Sequence, residues 1–159
     1  MPSEDGGPEV VDWPFIWLEG WPIQRKRANG AGHDGLIVPV IQNADKKTLQ
    51  EIAQEINSLM TKARTGQLTV KDISKGTFTL SNLGMYGVET FTPIITPGQV
   101  AVLGVGSIMK RAVVQGEGVT VQPQVSLSLT FDHRVVDGAI AAKFLSRLRQ
   151  IIEAGSFTE

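Results

Sequence analysis

Apolar and polar positions follow two different periods along this chain, and the changes of period mark its elements. Leu36-Ile37-Val38-Pro39-Val40-Ile41 is a nearly continuous apolar run. It predicts a short buried strand, which Pro39 confines to a sheet edge or a bulge. Over about residues 48–64 the period lengthens. Leu49, Ile52, Ala53, Ile56, Leu59, Met60 and Ala63 recur at helical spacing and predict an amphipathic helix buried on that face, with Gly66 placed to stop it. The turn Lys71-Asp72-Ile73-Ser74-Lys75-Gly76 leads into a strand, Thr77-Phe78-Thr79-Leu80, closed by a turn of small polar residues, Ser81-Asn82-Leu83-Gly84. Residues 99–105 and 119–131 read as two long strands, with a hairpin-like turn at Gln115-Gly116-Glu117-Gly118. Helical period returns over about residues 139–154, where Ala141, Phe144, Leu145, Leu148, Ile151 and Ile152 form the expected core face. Two helices packing on a strand-rich core predict an α/β layered domain.

Residues 1–33 break this regularity. Trp13, Trp17 and Trp21 are spaced by four, Pro14 and Pro22 interrupt any helix, and Arg25-Lys26-Arg27 precedes the flexible Asn29-Gly30-Ala31-Gly32. The expectation is an irregular lead segment over 1–33 ahead of a domain at 34–159. The tryptophan spacing also admits an amphipathic anchor for a membrane or partner. At 159 residues and 42% hydrophobic content the chain can build one core. A net charge of -1 argues against a nucleic-acid binder that works through a basic footprint. With no cysteine there is no disulfide, thiolate nucleophile or cysteine-built zinc cluster, and two histidines far apart, His33 and His133, argue against a metal site built on imidazole. No apolar run is long enough to span a bilayer, and the acidic start Met1-Pro2-Ser3-Glu4-Asp5 lacks the layout of a secretory signal. The expected location is cytoplasmic, or the mitochondrial matrix in a eukaryote, with no nucleic-acid or membrane partner and no metal.

Chemistry concentrates in Asp132-His133-Arg134-Val135-Val136-Asp137-Gly138, where an alternating strand ends and a helix begins. A histidine there can take a proton from a thiol or hydroxyl near neutral pH, and a carboxylate four residues on can orient the ring. The same residues also fit a strand-end histidine followed by a helix cap at Asp137. Ser81, at a strand end, can donate a hydrogen bond to a developing oxyanion, though it is equally a turn former. Gly104-Val105-Gly106 lacks the third glycine and the following helix of a dinucleotide loop, so these glycines predict a bulge or close packing within a strand.

Several ordered segments together resemble one family. Gly-Leu-Ile-Val-Pro-Val-Ile at 35–41, Gly76-Thr77-Phe78-Thr79-Leu80-Ser81-Asn82-Leu83-Gly84, Pro93-Ile94-Ile95, Val102-Leu103-Gly104-Val105-Gly106 and the segment from Asp132 to Gly138 are similar to the C-terminal part of the catalytic domain of dihydrolipoamide acyltransferases. These are the core components of 2-oxo acid dehydrogenase complexes, the pyruvate dehydrogenase complex among them. The resemblance implies a chloramphenicol acetyltransferase-like fold, a mixed β-sheet packed by helices. It implies acyl transfer between dihydrolipoamide and coenzyme A, with His133 as general base, Ser81 stabilising the oxyanion and Asp137 as electrostatic and orienting partner. Asn82, Asp132 and Arg134 take support roles. It also implies a homotrimer or larger assembly whose site forms between subunits, with the lipoyl group carried on a domain this sequence does not contain. The related antibiotic acetyltransferases usually have a second histidine where Asp132 stands, which disfavours that activity. The family's catalytic domain begins further upstream, with a front section that residues 1–33 do not resemble. The expectation is therefore a domain truncated on its N-terminal side. A catalytically silent structural or assembly piece of the same complex is the alternative, and the residues gripping the coenzyme A nucleotide stay unassigned.

Overall fold

The computed structural model describes residues 15–19, 24–25 and 35–155. In chain order the regular elements are β1 (Phe15–Glu19), β2 (Gln24–Arg25), β3 (Gly35–Leu36), β4 (Val40–Gln42), α1 (Leu49–Thr65), β5 (Phe78–Asn82), β6 (Ala101–Gln115), β7 (Gly118–Phe131) and α2 (Gly138–Ala154). Five strands form one mixed sheet in the order β4-β1-β5-β6-β7. The β1–β5 and β5–β6 pairs are parallel, and the β4–β1 and β6–β7 pairs are antiparallel. β2 and β3 pair separately. This is the α/β layered architecture expected from the periodicity.

Several expectations need correction. The lead segment is not irregular throughout, because β1 lies inside the sheet between β4 and β5. Trp13 and Trp21 lie outside the described residues, as does His33. The apolar run at 36–41 divides into β3 and β4 around residues 37–39, and β4 takes the sheet edge that Pro39 requires. Ser81 and Asn82 belong to the strand β5 and not to a turn, since they pair with Gly104 and Val105 of β6. β6 runs ten residues past its expected end at Val105.

The helices form for local reasons. Thr48 caps α1 through a reciprocal capping box: its hydroxyl accepts the Glu51 N–H, and Glu51 accepts the Thr48 N–H. Gly66, at φ 72°, closes the other end in the left-handed region. Leu59 and Ala63 are buried, and Leu59 packs with Ile52 and Ile56 toward Ile41, but Leu49 and Ala53 of the expected face are exposed. On α2, Ala141 is buried and Phe144, Leu145 and Leu148 cover Phe78, Ala101 and Leu103, whereas Ile152 faces solvent.

The register shows how the layers lie. Ile41 and Phe78 both stand opposite Ile16, so they share a face of the sheet. Because α1 packs on Ile41 and α2 on Phe78, both helices cover the same side. Thr79, Ser81, Val102 and Gly104 occupy the opposite side by strand alternation. There the buried Thr79 hydroxyl donates to Gln99 Oε1 at 2.6 Å, and Gln99 Nε2 donates to the Gly76 carbonyl at 3.2 Å. This polar pair, fully bonded, ties the entry of β6 to β5.

Candidate active site

Ser81 is 6% exposed on the sheet face away from the helices. Its hydroxyl has no hydrogen-bond partner among the described residues. The glycines of β6 shape its surroundings. A Cβ on Gly104, directly opposite Ser81, would meet Phe91 at 3.0 Å and Pro93 at 3.2 Å, and one on Gly106 would meet the Glu89 carbonyl oxygen at 1.9 Å. Residues 89–93 therefore lie flat on β6 beside Ser81, and only glycine admits them. The chain leading into this cover is pinned. Asn82 Oδ1 accepts the Gly84 N–H at 2.9 Å, Leu83 N–H donates to Val105 at 3.2 Å, and Ser107 N–H donates to Val88 at 2.8 Å. The close packing expected of Gly104 and Gly106 is thus present, and a register irregularity between Val105 and Ile108 supplies the bulge.

His133 sits in the tight turn between β7 and α2. The Asp132 N–H donates to the Val100 carbonyl at 2.8 Å, and the Asp132 carbonyl accepts from both Val135 and Val136 at 3.0 Å. The Asp132 carboxylate accepts from the Arg134 backbone N–H, Nε and Nη2 at 3.0, 2.9 and 2.6 Å. Those bonds, the guanidinium ones foremost, hold the Asp132 carboxyl at about 2 and raise Arg134 further. The charges flanking His133 thus neutralise one another. The imidazole is exposed, tilted against Phe131 with centroids 5.6 Å apart. Its Nε2 faces the first turn of α2, where a Cβ on Gly138 would stand 4.0 Å away.

Asp137 takes the N-cap position of α2 with extended backbone, but its side chain makes no capping bond. Among the described residues neither its carboxylate nor the His133 ring has a hydrogen-bond partner, so nothing joins the two here.

Nor do Ser81 and His133 meet within one chain. Ser81, Gly104 and Ser128 form one row across β5, β6 and β7. Two strand spacings put Ser128 about 10 Å from Ser81, and Phe131 lies a further three residues, roughly 10 Å, along the strand. His133 follows beyond that end. A site using both groups takes them from different copies.

Sequence reasoning missed the seat of Ser81: the bond from the Gly84 N–H to Asn82, the cover at 89–93 and the Arg111–Glu89 ion pair that tethers it. The glycine spacing of β6 was the available signal, but its meaning depends on which segment crosses it.

Residues 31–157 match the family of 2-oxoacid dehydrogenases acyltransferase (catalytic domain). The chain belongs to this family. Among relatives of this acyltransferase domain, the dihydrolipoyllysine-residue acetyltransferase component of the pyruvate dehydrogenase complex of Rickettsia bellii is 43% identical over 76% of the chain and 29% of its own length. The lipoamide acyltransferase component of the branched-chain alpha-keto acid dehydrogenase complex of Bacillus subtilis is 44% identical over 87% of the chain and 34% of its length. The chain thus spans about a third of the curated relatives it matches. Among solved structures, the dihydrolipoamide acetyltransferase of Azotobacter vinelandii superposes with a TM-score of 0.74 at 37% identity, over 86% of this chain and 52% of that one. That enzyme was studied for the role of a serine, a histidine and an asparagine in its catalytic mechanism. The cubic core of the pyruvate dehydrogenase multienzyme complex aligns with a TM-score of 0.74 at 36% identity, over 86% and 52%.

Proposed function

We propose that this chain carries the site of a dihydrolipoamide acyltransferase, moving an acyl group between dihydrolipoamide and coenzyme A. One observation carries the proposal. In the Azotobacter vinelandii enzyme the histidine stands fifty-two positions after the serine and the asparagine four after the histidine. Ser81, His133 and Asp137 stand at the same intervals, with aspartate in the third place.

The chemistry follows from the groups. A free thiol has a pKa near 8.5, so at neutral pH it gains from a base within reach. His133, exposed in its turn, takes the thiol proton. The thiolate attacks the thioester carbonyl carbon, forming a C–S bond while the carbonyl pair moves to oxygen. Ser81 of the other copy donates its unshared hydroxyl proton to that oxyanion as a hydrogen bond. Collapse breaks the original C–S bond, and the departing thiolate recovers the proton from His133. Asp137, an acceptor only, orients the imidazole once substrate and the second chain close the site. Residues 34–159 act as the partial catalytic domain in this reading, in a homotrimer or larger assembly. The lipoyl domain and the other components of a 2-oxo acid dehydrogenase complex are its partners, in the cytoplasm or the mitochondrial matrix. Relatives named for acetyl and branched-chain complexes match about equally, so the acyl group stays unassigned.

The test is acyl transfer from acetyl-, succinyl- or isobutyryl-coenzyme A to dihydrolipoamide, on protein whose mass is fixed by light scattering. Transfer in a multi-chain particle is the expected result. A folded multi-chain particle inactive with all three donors would refute the proposal and favour the silent structural piece.

A further inference from the structure

A cavity of about 450 Å³ opens where β4, α1 and a 3-10 turn at Val70–Ile73 come together. It shares no residue with the site described above, and its volume lies in the range of small-molecule sites. Local bonds build its walls. Asn43, at φ 52° in the left-handed region that asparagine tolerates, turns the chain out of β4. Gln42 Nε2 donates to the carbonyls of Lys71 at 3.4 Å and Ser74 at 3.2 Å, which ties the segment after α1 to the strand.

Three ammonium groups line this cavity from three separate segments: Lys47 before α1, Lys62 on α1 and Lys71 in the 3-10 turn. Two carboxylates stand among them. Lys47 donates to Glu55, and Lys62 donates to Asp72 at 3.3 Å. The side chains of Lys47, Glu55 and Asp72 are 25%, 29% and 16% exposed, so these groups are held in place more firmly than ordinary surface pairs. Asp72 is filled by its own turn as well. The Thr69 N–H and hydroxyl donate to its Oδ2 at 2.8 and 2.7 Å, and those bonds, the N–H foremost, hold its carboxyl below the usual range.

Donors therefore outnumber acceptors. Each ammonium carries three N–H groups. Lys47 and Lys62 each use one on a carboxylate, and Lys71 has no ion-pair partner among the described residues. Three ammonium groups against two carboxylates leave one net positive charge inside the cavity. A small anion with several acceptor oxygens supplies what is missing.

We infer that this cavity binds a small phosphorylated anion, with the phosphoryl group between Lys47, Lys62 and Lys71. A phosphoryl group near neutral pH carries close to two negative charges and three strong acceptor oxygens. Lysine binds it as a compact point charge, without the planar fork that suits a carboxylate. The ligand closes a gap between β4, α1 and the 3-10 turn. Nothing in this site needs a second copy or acyl transfer, so it stands apart from the function proposed above.

The full chain is titrated calorimetrically with inorganic phosphate, glycerol 1-phosphate and succinate, with sodium chloride holding the ionic strength. The expected result is one phosphorylated anion per chain with a Kd on the order of 1 mM or tighter, and succinate about tenfold weaker. Tighter binding of glycerol 1-phosphate identifies an esterified ligand, and tighter binding of inorganic phosphate a free one. Lys71→Ala, which keeps the backbone carbonyl that Gln42 uses, should weaken phosphate about tenfold, and Lys110→Ala on β6 should leave it unchanged. In the parent chain, phosphate should also slow the labelling of Lys71 by an amine-reactive ester, read by mass spectrometry, and leave Lys110 unaffected. No binding beyond that of chloride overturns the inference. So do equal effects of the two variants, succinate binding as tightly as phosphate, or Lys71 labelling that phosphate does not slow.

Discussion

Gly106→Ala is the sharpest test of how Ser81 is seated. The added Cβ would stand 1.9 Å from the Glu89 carbonyl oxygen and 2.7 Å from its carbon, both backbone atoms. Relief needs the segment at 89–93 to retreat by more than ~1 Å, since carbon and oxygen make contact at ~3.3 Å or more. That retreat pulls on the 2.8 Å bond from Ser107 N–H to Val88, next to the clash. Overpacking costs about 1–3 kcal/mol and the lost hydrogen bond about 1 kcal/mol, so the variant should be destabilised by roughly 2–4 kcal/mol. With a urea slope of ~1–3 kcal/mol per molar, the midpoint should fall by about 1–2 M. The assay is urea unfolding followed by circular dichroism at fixed protomer concentration, because a multi-chain protein's stability depends on it. Gly118→Ala is the control: its Cβ would meet only the Gln115 oxygen, at 3.8 Å, and should cost little. Equal midpoints for Gly106→Ala and the parent chain would refute the claim that these glycines exist to admit the cover over β6.

His133→Ala should abolish transfer while leaving particle mass unchanged, and unchanged turnover would remove it as the base. Ser81→Ala should lower kcat by on the order of 10²–10³ with little effect on KM, the cost of one oxyanion donor; an effect on KM alone would contradict that role. Mixing His133→Ala and Ser81→Ala chains, unfolding and refolding them together, should restore part of the activity, since some sites then receive an intact residue from each; no recovery in mixed particles would argue for a site within one chain. Asp132 carries a pH signature. Its folded-state carboxyl is depressed from 3.8 to about 2 by Arg134, so the clamp contributes fully above about pH 4 and is lost as pH falls toward 2. Asp132→Asn should remove that part of the acid transition, measured by circular dichroism between pH 5 and 2.

Local order was legible without coordinates. Helical spacing placed α1 and α2 to within a residue or two at their ends, Gly66 and the Gln115–Gly118 turn fell where expected, and the resemblance singled out His133, Ser81 and Asp137. Each of these depends on residues close in sequence: a period, a cap, a turn with positive φ at Gly116. What stayed hidden depends on pairing between distant segments. Ser81 and Asn82 have the composition of a turn, and only the parallel ladder with Gly104 and Val105 makes them strand. β6 was cut short because Ser107, Lys110 and Arg111 interrupt its apolar run, yet β7 supplies a partner for every residue from Ile108 to Gln115. β1 was read as irregular because Pro14 and the tryptophans obscure any period, while the sheet holds it between β4 and β5. The sequence determined which groups are candidates for the site and where each helix begins. Tertiary structure alone decided that Ser81 lies within the sheet on β5 while His133 lies beyond the end of β7, because register is a property of two strands and neither records it by itself.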